Sequence, residues 1–415
     1  MSNLSKIRRD KMIEFLETLK EQHSDDESLI AINQIEKELV SKRYGLVWEE
    51  HEEAVDVMMR DNIPVFTEVK EHEICMVPGE DYNFLLEGDN LHSLYLLEKT
   101  HRGKVDVIYI DPPYNTGGKD FVYNDTCIDR TDGYRHSKWL SFMYERLVIA
   151  KKLMSDIGLI FISIDDNEVA QLKLLCNEIF GEENFRGQIA RGTGTPTGQG
   201  NAILSNEIDY ILVYAKTQQA YFNGLPFDDE SSKIYNLEDE YGKYLNRPLR
   251  KTGGEDRRED RPSMFYPIKA PDGSDIYPIA PSGYESRWRC QKSTYEQLCK
   301  EHRIEWKRDE SGWKIYQKFY LEGRTKQPGN LWSNVEGNKK ATITIKNIMG
   351  TSGFSFPKPV EVIVRILQIA GNKDSVVLDF FAGSGTTAQA VLELNKEDGG
   401  PVSYTHLRAH ETDQY

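Results

Sequence analysis

Apolar residues follow different spacings in different parts of the chain. Residues 1–75 carry apolar positions at helical spacing, such as Met12, Phe15 and Leu16, among many charges. From residue 82 onward, short apolar runs alternate with helical stretches, and between 190 and 350 neither spacing persists. The pattern predicts a helical N-terminal region, an α/β region and a loop-rich mixed region.

The α/β region contains three strand-and-helix units in succession, an order that is typical of a parallel sheet with crossover helices. A further strand at 210–214 returns to this sheet, and one more unit follows residue 350. The predicted strands are 84–86, 105–110, 159–164, 210–214 and 376–380, and the predicted helices are 89–99, 138–154, 168–180, 360–370 and 386–394.

These elements predict an α/β fold class, with a Rossmann-like, doubly wound sheet, an inserted mixed domain and a helical N-terminal region. The expected divisions are 1–75 for the helical region, 76–190 and 351–400 for the two halves of the sheet, 191–350 for the insertion and 401–415 for an atypical tail.

Residues 111–115, Asp-Pro-Pro-Tyr-Asn, directly follow the predicted strand 105–110. The carboxyl end of a strand is where open α/β sheets bind ligands. Two prolines lack N–H donors and hold an extended path, so the Asp111 carboxylate and the Pro112 carbonyl can face one point. Such acceptors hold both hydrogens of an exocyclic amine and direct its lone pair at an electrophile. Tyr114 offers a stacking face for a base outside its helix, whereas the alternative is a turn whose Asp caps a helix.

Residues 379–387, Asp-Phe-Phe-Ala-Gly-Ser-Gly-Thr-Thr, lie at the end of the predicted strand 376–380 and open a helix. Glycines let the backbone approach a cofactor closely, and a helix N-terminus favours a carboxylate. A Walker A loop is excluded because no Lys precedes the Ser or Thr and the glycines are too close together.

The net charge of −15 argues against a nucleic-acid partner, but the charge is unevenly distributed. Residues 241–350 contain 22 Lys and Arg against 14 Asp and Glu, and four of the six tryptophans. Cations beside aromatic rings suit phosphate contact and base stacking. The alternative is an ordinary core with a solvated basic face.

Several classes of protein are disfavoured by the sequence. No apolar run approaches the roughly 20 residues of a membrane span, and residues 1–20 are charged where a signal peptide is apolar, which indicates a cytoplasmic protein. The five cysteines are dispersed and form no close pair, which argues against a disulfide framework and a metal site.

The two motifs, in this order, resemble those of the beta class of DNA amino-methyltransferases, and most closely the modification (Mod) subunits of Type III restriction-modification systems. The resemblance covers about residues 82–400. It implies S-adenosylmethionine as cofactor, a methyltransferase sheet, and a target recognition domain at 191–350. Asp in the first motif favours methylation of adenine N6 in double-stranded DNA. N4-cytosine methylation and a DNA-recognition subunit without catalytic activity are the alternatives.

The resemblance also implies partners and site residues. Besides DNA, the partners are a second copy of the chain and a restriction (Res) subunit; no membrane and no metal are expected. The catalytic residues are Asp111, Pro112, Pro113 and Tyr114. The cofactor-binding residues are Asp89, Asn90, Asp111, Phe356, Lys358, Pro359, Asp379, Phe381, Gly383, Ser384, Gly385 and Thr386. The basic segment contributes the candidate DNA-binding residues Arg257, Arg258, Arg287, Trp288 and Arg289.

Residues 401–415 depart from the family pattern, in which a further strand ends in an acidic residue that holds the cofactor ribose. Without that strand the sheet has a gap between strands 376–380 and 84–86. We therefore expect a truncated frame that binds the cofactor weakly or folds poorly, unless residues 402–407 fill the gap as a substitute strand.

Overall fold

The structure is a computed structural model that describes residues 4–23, 25–41, 48–72, 83–118, 120–124, 126–194, 207–350, 354, 356–398 and 404–408. The chain divides into two compact units. The larger unit comprises residues 1–223 and 328–415, and the smaller unit comprises Gly224–Gln327.

The N-terminal part of the larger unit is helical. Its helices are α1 (Leu4–Gln22), α2 (Asp26–Ser41) and α3 (Ala54–Asp61). Helix α1 packs along α2, and Leu16 and Ile32 are buried there. A 3-10 turn at Lys70–His72 follows α3.

Alternating strands and helices follow; the sequence predicts this alternation, although it does not predict the strands at 122–123, 126–127 and 185–192. The elements are β1 (Phe84–Glu87), α4 (Asn90–His101), β2 (Val105–Ile110), β3 (Val122–Tyr123), β4 (Thr126–Cys127), α5 (Arg135–Leu153), β5 (Met154–Ile164), α6 (Val169–Phe180), β6 (Phe185–Gly192) and β7 (Ile208–Ala215). Asp89 caps α4 by accepting a hydrogen bond from Leu91 N at 2.8 Å. Gly181, with φ 95°, ends α6 in a backbone conformation that favours glycine.

The smaller unit lies within the 191–350 span and contains a four-stranded sheet of order β13-β14-β10-β9. Leu249, Tyr266, Ile268, Trp288 and Ile315 form its core. Its elements are β8 (Leu225–Pro226), α7 (Asp229–Ser232), β9 (Leu237–Asp239), β10 (Gly242–Pro248), β11 (Ile268–Lys269), β12 (Asp275–Ile276), α8 (Lys292–Lys300), β13 (Ile304–Asp309), β14 (Gly312–Tyr320) and β15 (Thr325–Lys326), with 3-10 turns at Arg258–Asp260 and Pro262–Met264.

The last part of the chain returns to the larger unit. Its elements are β16 (Leu331–Trp332), α9 (Asn338–Met349), α10 (Val360–Ala370), β17 (Val377–Asp379), α11 (Thr386–Asp398) and β18 (Tyr404–Arg408).

The central sheet of the larger unit has the order β1-β18-β17-β2-β5-β7-β6-β16. The adjacent strands β1, β18, β17, β2 and β5 are parallel to one another. Strand β7 is antiparallel to both of its neighbours, β5 and β6. Helices α4, α5 and α6 pack in a row, and α10 packs against α11. The predicted α/β class with a doubly wound sheet is confirmed.

The tail contributes strand β18, which lies between β17 and β1 and is parallel to both. Its register pairs Leu378 with Thr405 and Leu86 with Leu407. The substitute strand that the sequence allowed therefore fills the expected gap. Residues 401–403 and 409–415 of this tail lie outside the described residues.

Two further expectations from the sequence concern disulfide bonds and membrane-spanning helices. The four cysteines in the described part of the chain are free thiols, and Cys75 lies outside it. Within the same described residues, no helix is both long enough and apolar enough to span a bilayer.

Candidate active site

The two predicted motifs lie at one edge of the central sheet. Strands β2 and β17 are adjacent and parallel, with Val107 paired with Val377 and Ile108 with Leu378. The proline loop (residues 111–115) follows β2, and the glycine loop (residues 379–387) includes the end of β17. Because parallel neighbours end on the same side, the sheet brings the two loops together at its carboxyl edge.

The proline loop is anchored from behind by buried groups. Trp139 Nε1 donates a hydrogen bond to Pro113 O at 2.7 Å, and Trp139 itself is buried. Asn115 is also buried, and its Nδ2 donates to Glu168 Oε1 at 2.5 Å. Its φ of 55° is a left-handed conformation that Asn tolerates better than most residues. These contacts fix the backbone on both sides of Tyr114.

A histidine shares the carboxylate that holds Asn115. His136 Nδ1 lies 2.6 Å from Glu168 Oε1. Burial raises the pKa of Glu168, while the hydrogen bond from Asn115 and the nearby His136 oppose that shift. From the sequence, neither His136 nor Glu168 is identified as a site residue. Glu168 is placed only at the start of a predicted helix.

Lys358 contacts both predicted catalytic side chains. Its Nζ lies 3.1 Å from Asp111 Oδ1 and donates a hydrogen bond to the Tyr114 hydroxyl at 2.5 Å. The ammonium also lies 4.6 Å from the centroid of the Tyr114 ring. Burial, and then the charge of Asp111, raise the pKa of Tyr114 well above its ordinary value, so the phenol stays protonated. The resemblance assigned Lys358 to the cofactor, and the structure brings it to the proline loop.

A buried ion pair between Arg191 and Asp209 lies close to Lys358. Arg191 and Asp209 are cross-strand neighbours on β6 and β7. Arg191 donates from Nε to Asp209 Oδ1 at 2.8 Å and from Nη2 to Oδ2 at 2.5 Å. Asp209 Oδ2 also lies 3.8 Å from Lys358 Nζ. The charges therefore alternate in sign from Asp111 through Lys358 and Asp209 to Arg191, an arrangement that sequence reasoning missed.

Asp379 organises the glycine loop from inside the sheet. Its Oδ1 accepts a hydrogen bond from Phe381 N at 2.9 Å, and its Oδ2 accepts one from the Thr387 hydroxyl at 2.6 Å. Burial raises the pKa of Asp379 to about 7. The internal contacts indicate that this carboxyl shapes the loop rather than facing a ligand.

The glycines of this loop have conformations that other residues adopt only with strain. Gly383 has φ 52° and Gly385 has φ 79°. The Thr386 hydroxyl donates to Lys358 O at 3.2 Å, and Ser384 Oγ lies 3.0 Å from Thr386 Oγ1. The loop is therefore tied to the backbone of the residue that contacts Asp111.

The remaining candidate cofactor residues have different environments. Asn90 is buried and its Nδ2 donates to Phe380 O at 2.9 Å, whereas Asp89 Oδ1 is engaged in capping α4. Pro359 is buried at the start of α10. Phe356 is 86% exposed and has a φ of 56°. Asn90 therefore touches the glycine loop, and Phe356 presents its ring to solvent.

All five candidate DNA-binding residues belong to the smaller unit, and two of them are buried in its interior. Trp288 is 3% exposed and its Nε1 donates to Tyr266 O at 2.8 Å. Arg287 is also buried, and its Nε donates to Glu255 O at 2.6 Å. Trp288 fills the core of the unit, so the expectation that it stacks on a base is revised. Its interior position suits a large apolar ring with one satisfied N–H.

Two of the remaining arginines lie at the surface of the smaller unit beside aromatic rings. The Arg257 and Arg258 side chains are 62% and 50% exposed. Arg257 lies 5.1 Å from the centroid of the Tyr284 ring, and Arg258 lies 4.4 Å from that of Phe265. Arg289 is half-buried and donates to Pro248 O at 2.8 Å. Arg257 pairs with Glu259 at 3.9 Å and Arg258 pairs with Glu285 at 2.7 Å. The surface therefore combines exposed arginines with aromatic rings and nearby carboxylates, and it lacks Trp288.

The site offers a fixed carboxylate and ring for an amine, and a glycine loop with a helix N-terminus for a cofactor. Among the residues that the structure describes, no three His, Cys, Asp or Glu side chains gather as a metal site requires.

The chain is similar in sequence to known proteins. Residues 105–400 match the family described as DNA methylase. The chain is 35% identical over 423 residues to the EcoPI Mod subunit, a Type III restriction-modification enzyme of Escherichia phage P1, and the match covers 91% of this chain and 65% of that protein. It is 37% identical over 361 residues to the StyLTI Mod subunit of Salmonella typhimurium, over 80% of this chain and 53% of that protein. It is 36% identical over 348 residues to the Type II methyltransferase M.KpnI of Klebsiella pneumoniae, over 77% of this chain and 81% of that protein.

The chain thus spans about two-thirds of the EcoPI Mod subunit and about half of the StyLTI Mod subunit. The matched family range contains β2, the proline loop, β17 and the glycine loop. Because this match covers residues 105–400, more than half of the chain, and includes both loops of the site, the chain belongs to the DNA methylase family.

Proposed function

We propose that the protein transfers a methyl group from S-adenosylmethionine to the exocyclic N6 of adenine in double-stranded DNA, as the modification component of a restriction-modification system. The observation that carries this proposal is the parallel pairing of β2 with β17, because the loop that begins with Asp111 and the glycine loop then start at the same edge of the sheet. Membership of the DNA methylase family supports the reaction class, and the Mod relatives support the restriction-modification setting.

S-adenosylmethionine is the cofactor, and the residues at the sheet edge fit it. A Cβ at Gly385 would meet no atom within 4 Å, so the loop is open on that side. The N-terminus of α11 attracts a carboxylate, and Phe381 offers an aromatic ring beside it. Asp111 Oδ1 is buried beside Lys358 Nζ at 3.1 Å, and the Asp111 side chain as a whole is 25% exposed, so the carboxylate is held by the lysine while part of it faces the edge of the sheet. When bound, the cofactor supplies an electrophilic methyl group on a sulfonium sulfur.

The proline loop orients the amine that receives the methyl group. Asp111 and the carbonyl of Pro112 accept one amine hydrogen each, which draws the nitrogen lone pair out of the ring system. The Tyr114 ring packs against the base that has left the duplex. Lys358 holds the Tyr114 hydroxyl, while Trp139 holds Pro113 O, so the acceptors keep their directions. No strong general base is needed, because the neutral amine would attack before it loses a proton, and the cationic amine that results is acidic enough to give that proton to a weak base such as the Asp111 carboxylate.

The surface of the smaller unit supports DNA as the substrate. The exposed arginines Arg257 and Arg258 each lie over an aromatic ring, and residues 241–350 carry an excess of positive charge. Phosphate contact by such arginines gives affinity that is independent of sequence. We assign target recognition to this region, with Arg289 as a weaker contributor because it is half-buried.

Adenine is the proposed base because the motif begins with Asp111, whereas N4 of cytosine is the alternative. A restriction (Res) subunit is a proposed protein partner, since relatives are named as Mod subunits of Type III restriction-modification enzymes. A second copy of this chain is the other proposed partner. The cytoplasm is the proposed location, because the DNA to be modified is there.

The test uses the full chain, methyl-labelled S-adenosylmethionine and mixed-sequence duplex DNA, followed by digestion of the DNA to nucleosides. The proposal predicts label in N6-methyldeoxyadenosine. Label in N4-methyldeoxycytidine would replace the target base. Unlabelled DNA together with measured cofactor binding would instead indicate a recognition subunit without catalysis.

A further inference from the structure

A buried ion pair joins the N-terminal region to helix α5. Arg146 is 1% exposed, and it donates from Nη1 to Glu53 Oε1 at 2.5 Å and from Nη2 to Oε2 at 3.1 Å. Glu53 immediately precedes α3 and lies before the 105–400 range that matches the DNA methylase family. The charge that Arg146 needs inside the protein therefore comes from the N-terminal region.

The same arginine reaches the glycine loop through one amide side chain. Arg146 Nε donates to Asn90 Oδ1 at 2.7 Å, and Asn90 Nδ2 donates to Phe380 O at 2.9 Å. Since the guanidinium has only donors, it dictates which end of the Asn90 amide faces it, and the NH2 group must face Phe380. An uninterrupted series of directed hydrogen bonds thus runs from Glu53 to the backbone of the loop.

Aromatic contacts provide a second connection between Arg146 and the loop. The Arg146 guanidinium lies 3.7 Å from the centroid of the Phe142 ring. The Phe142 ring lies 5.9 Å from that of Phe381, which follows Phe380 in the loop. Arg146 therefore supports two consecutive loop residues, one through its carbonyl and one through its ring.

The segment that carries Glu53 is itself held in place by hydrogen bonds to the larger unit. His51 N donates to Ser141 Oγ at 3.1 Å, and Ala54 N donates to Asn124 Oδ1 at 2.7 Å. The Tyr123 hydroxyl donates to His51 O at 2.7 Å. The carboxylate is therefore presented to Arg146 from a fixed backbone.

We propose that Glu53 is a positioning residue for the cofactor: through Arg146 and Asn90 it fixes the Phe380 carbonyl and so holds the glycine loop in its binding geometry. This inference rests on the proposed function and adds the N-terminal region to the cofactor site. If the carboxylate loses its charge, the buried Arg146 loses the counter-charge to which it donates two hydrogen bonds, and its guanidinium turns away from Asn90. The loop then loses its anchor although every residue that faces the cofactor is unchanged.

The test compares Glu53→Gln with Glu52→Gln in the full chain. Glu52 is a matched control because it adjoins Glu53, and its side chain is 48% exposed. Calorimetric titration gives the Kd for S-adenosylmethionine, and hydrogen exchange reports on the amides of residues 380–387. We expect Glu53→Gln to raise the Kd about tenfold, which corresponds to about 1.4 kcal/mol, and to speed exchange in the loop. Glu52→Gln should match the wild type in both measurements.

The outcomes separate the inference from the proposed function. A purely structural role for Glu53 would lower the number of binding sites and leave the Kd unchanged, and this result would overturn the inference. Failure of the wild type to bind the cofactor would overturn the proposed function, whereas unchanged loop exchange in Glu53→Gln would overturn the anchoring. If Glu53→Gln does not fold, Asn90→Ala interrupts the same series of hydrogen bonds while leaving the ion pair of Glu53 and Arg146 in place, and unchanged Kd and loop exchange in that variant contradict the inference.

Discussion

Replacement of Asp209 by Asn should destabilise the larger unit by about 3–5 kcal/mol, the range for removing one partner of a buried ion pair. The upper part of this range applies because Arg191 and Asp209 have side chains only 1% and 6% exposed. The pair is held by two hydrogen bonds, at 2.8 and 2.5 Å. Lys358 Nζ lies 3.8 Å from the same carboxylate, so the substitution leaves two cations without that charge.

The assay is urea unfolding of the full chain, followed by the fluorescence of the tryptophans, since Trp139 and Trp332 are buried in the larger unit. Asp156→Asn is the matched control. Asp156 pairs with Lys216 at 3.5 Å, but its side chain is 75% exposed. Loss of this exposed ion pair should lower the free energy of unfolding by less than about 1 kcal/mol, as for other surface ion pairs.

The reasoning would be refuted if Asp209→Asn lowered the free energy of unfolding no more than Asp156→Asn does. Burial would then not increase the cost of breaking an ion pair. A second check replaces both partners by apolar residues, Arg191→Met with Asp209→Leu. This double variant should recover most of the lost stability, since no buried charge of the pair remains unpaired.

Two further predictions concern the candidate active site, and a third concerns the surface of the smaller unit. Burial raises the pKa of Asp379 from 3.8 to about 7, so the folded state keeps a proton that the unfolded chain loses between these values. The wild type should therefore lose stability relative to Asp379→Asn as the pH rises from about 4 to about 7; parallel urea curves for the two proteins would contradict this. Tyr114→Ala should weaken capture of the target base by about 1–3 kcal/mol, measured as KM for DNA, while Tyr114→Phe keeps the ring; equal losses would assign the effect to the hydroxyl. DNA affinity should fall steeply with added salt, and Arg257→Ala and Arg258→Ala should each lower the slope of log affinity against log salt by about 1; an unchanged slope would place the phosphates elsewhere.

Five strands of the central sheet were predictable because each has a strong local apolar signal, whereas β6 (Phe185–Gly192) and β16 (Leu331–Trp332) were not predicted. Strand β2 (Val105–Ile110) and helix α10 (Val360–Ala370) have the bounds that their apolar spacing predicts. Strand β5 begins earlier than predicted, at Met154, because it starts directly after α5 without a turn. An apolar residue at such a junction suits either element, so its spacing cannot decide between them.

The position of the two loops was also predictable, since each follows a strand and strand ends gather at one edge. The ion pair of Arg191 and Asp209 was not, because it depends on the register between β6 and β7. The contact of Lys358 with Asp111 joins residues far apart in sequence. Trp288 shows a further limit: an aromatic residue between two arginines has the same sequence pattern whether it faces the core or the solvent.

Methyl transfer by Asp111→Ala tests the central claim most directly, namely that Asp111 orients the target amine. Single-turnover transfer from labelled S-adenosylmethionine to duplex DNA is measured beside equilibrium DNA binding. The geometry predicts a rate lower by a factor of about 10²–10³ or more, because an amine acceptor is lost, with DNA affinity nearly unchanged. Transfer at a rate near that of the wild type would contradict the role of Asp111.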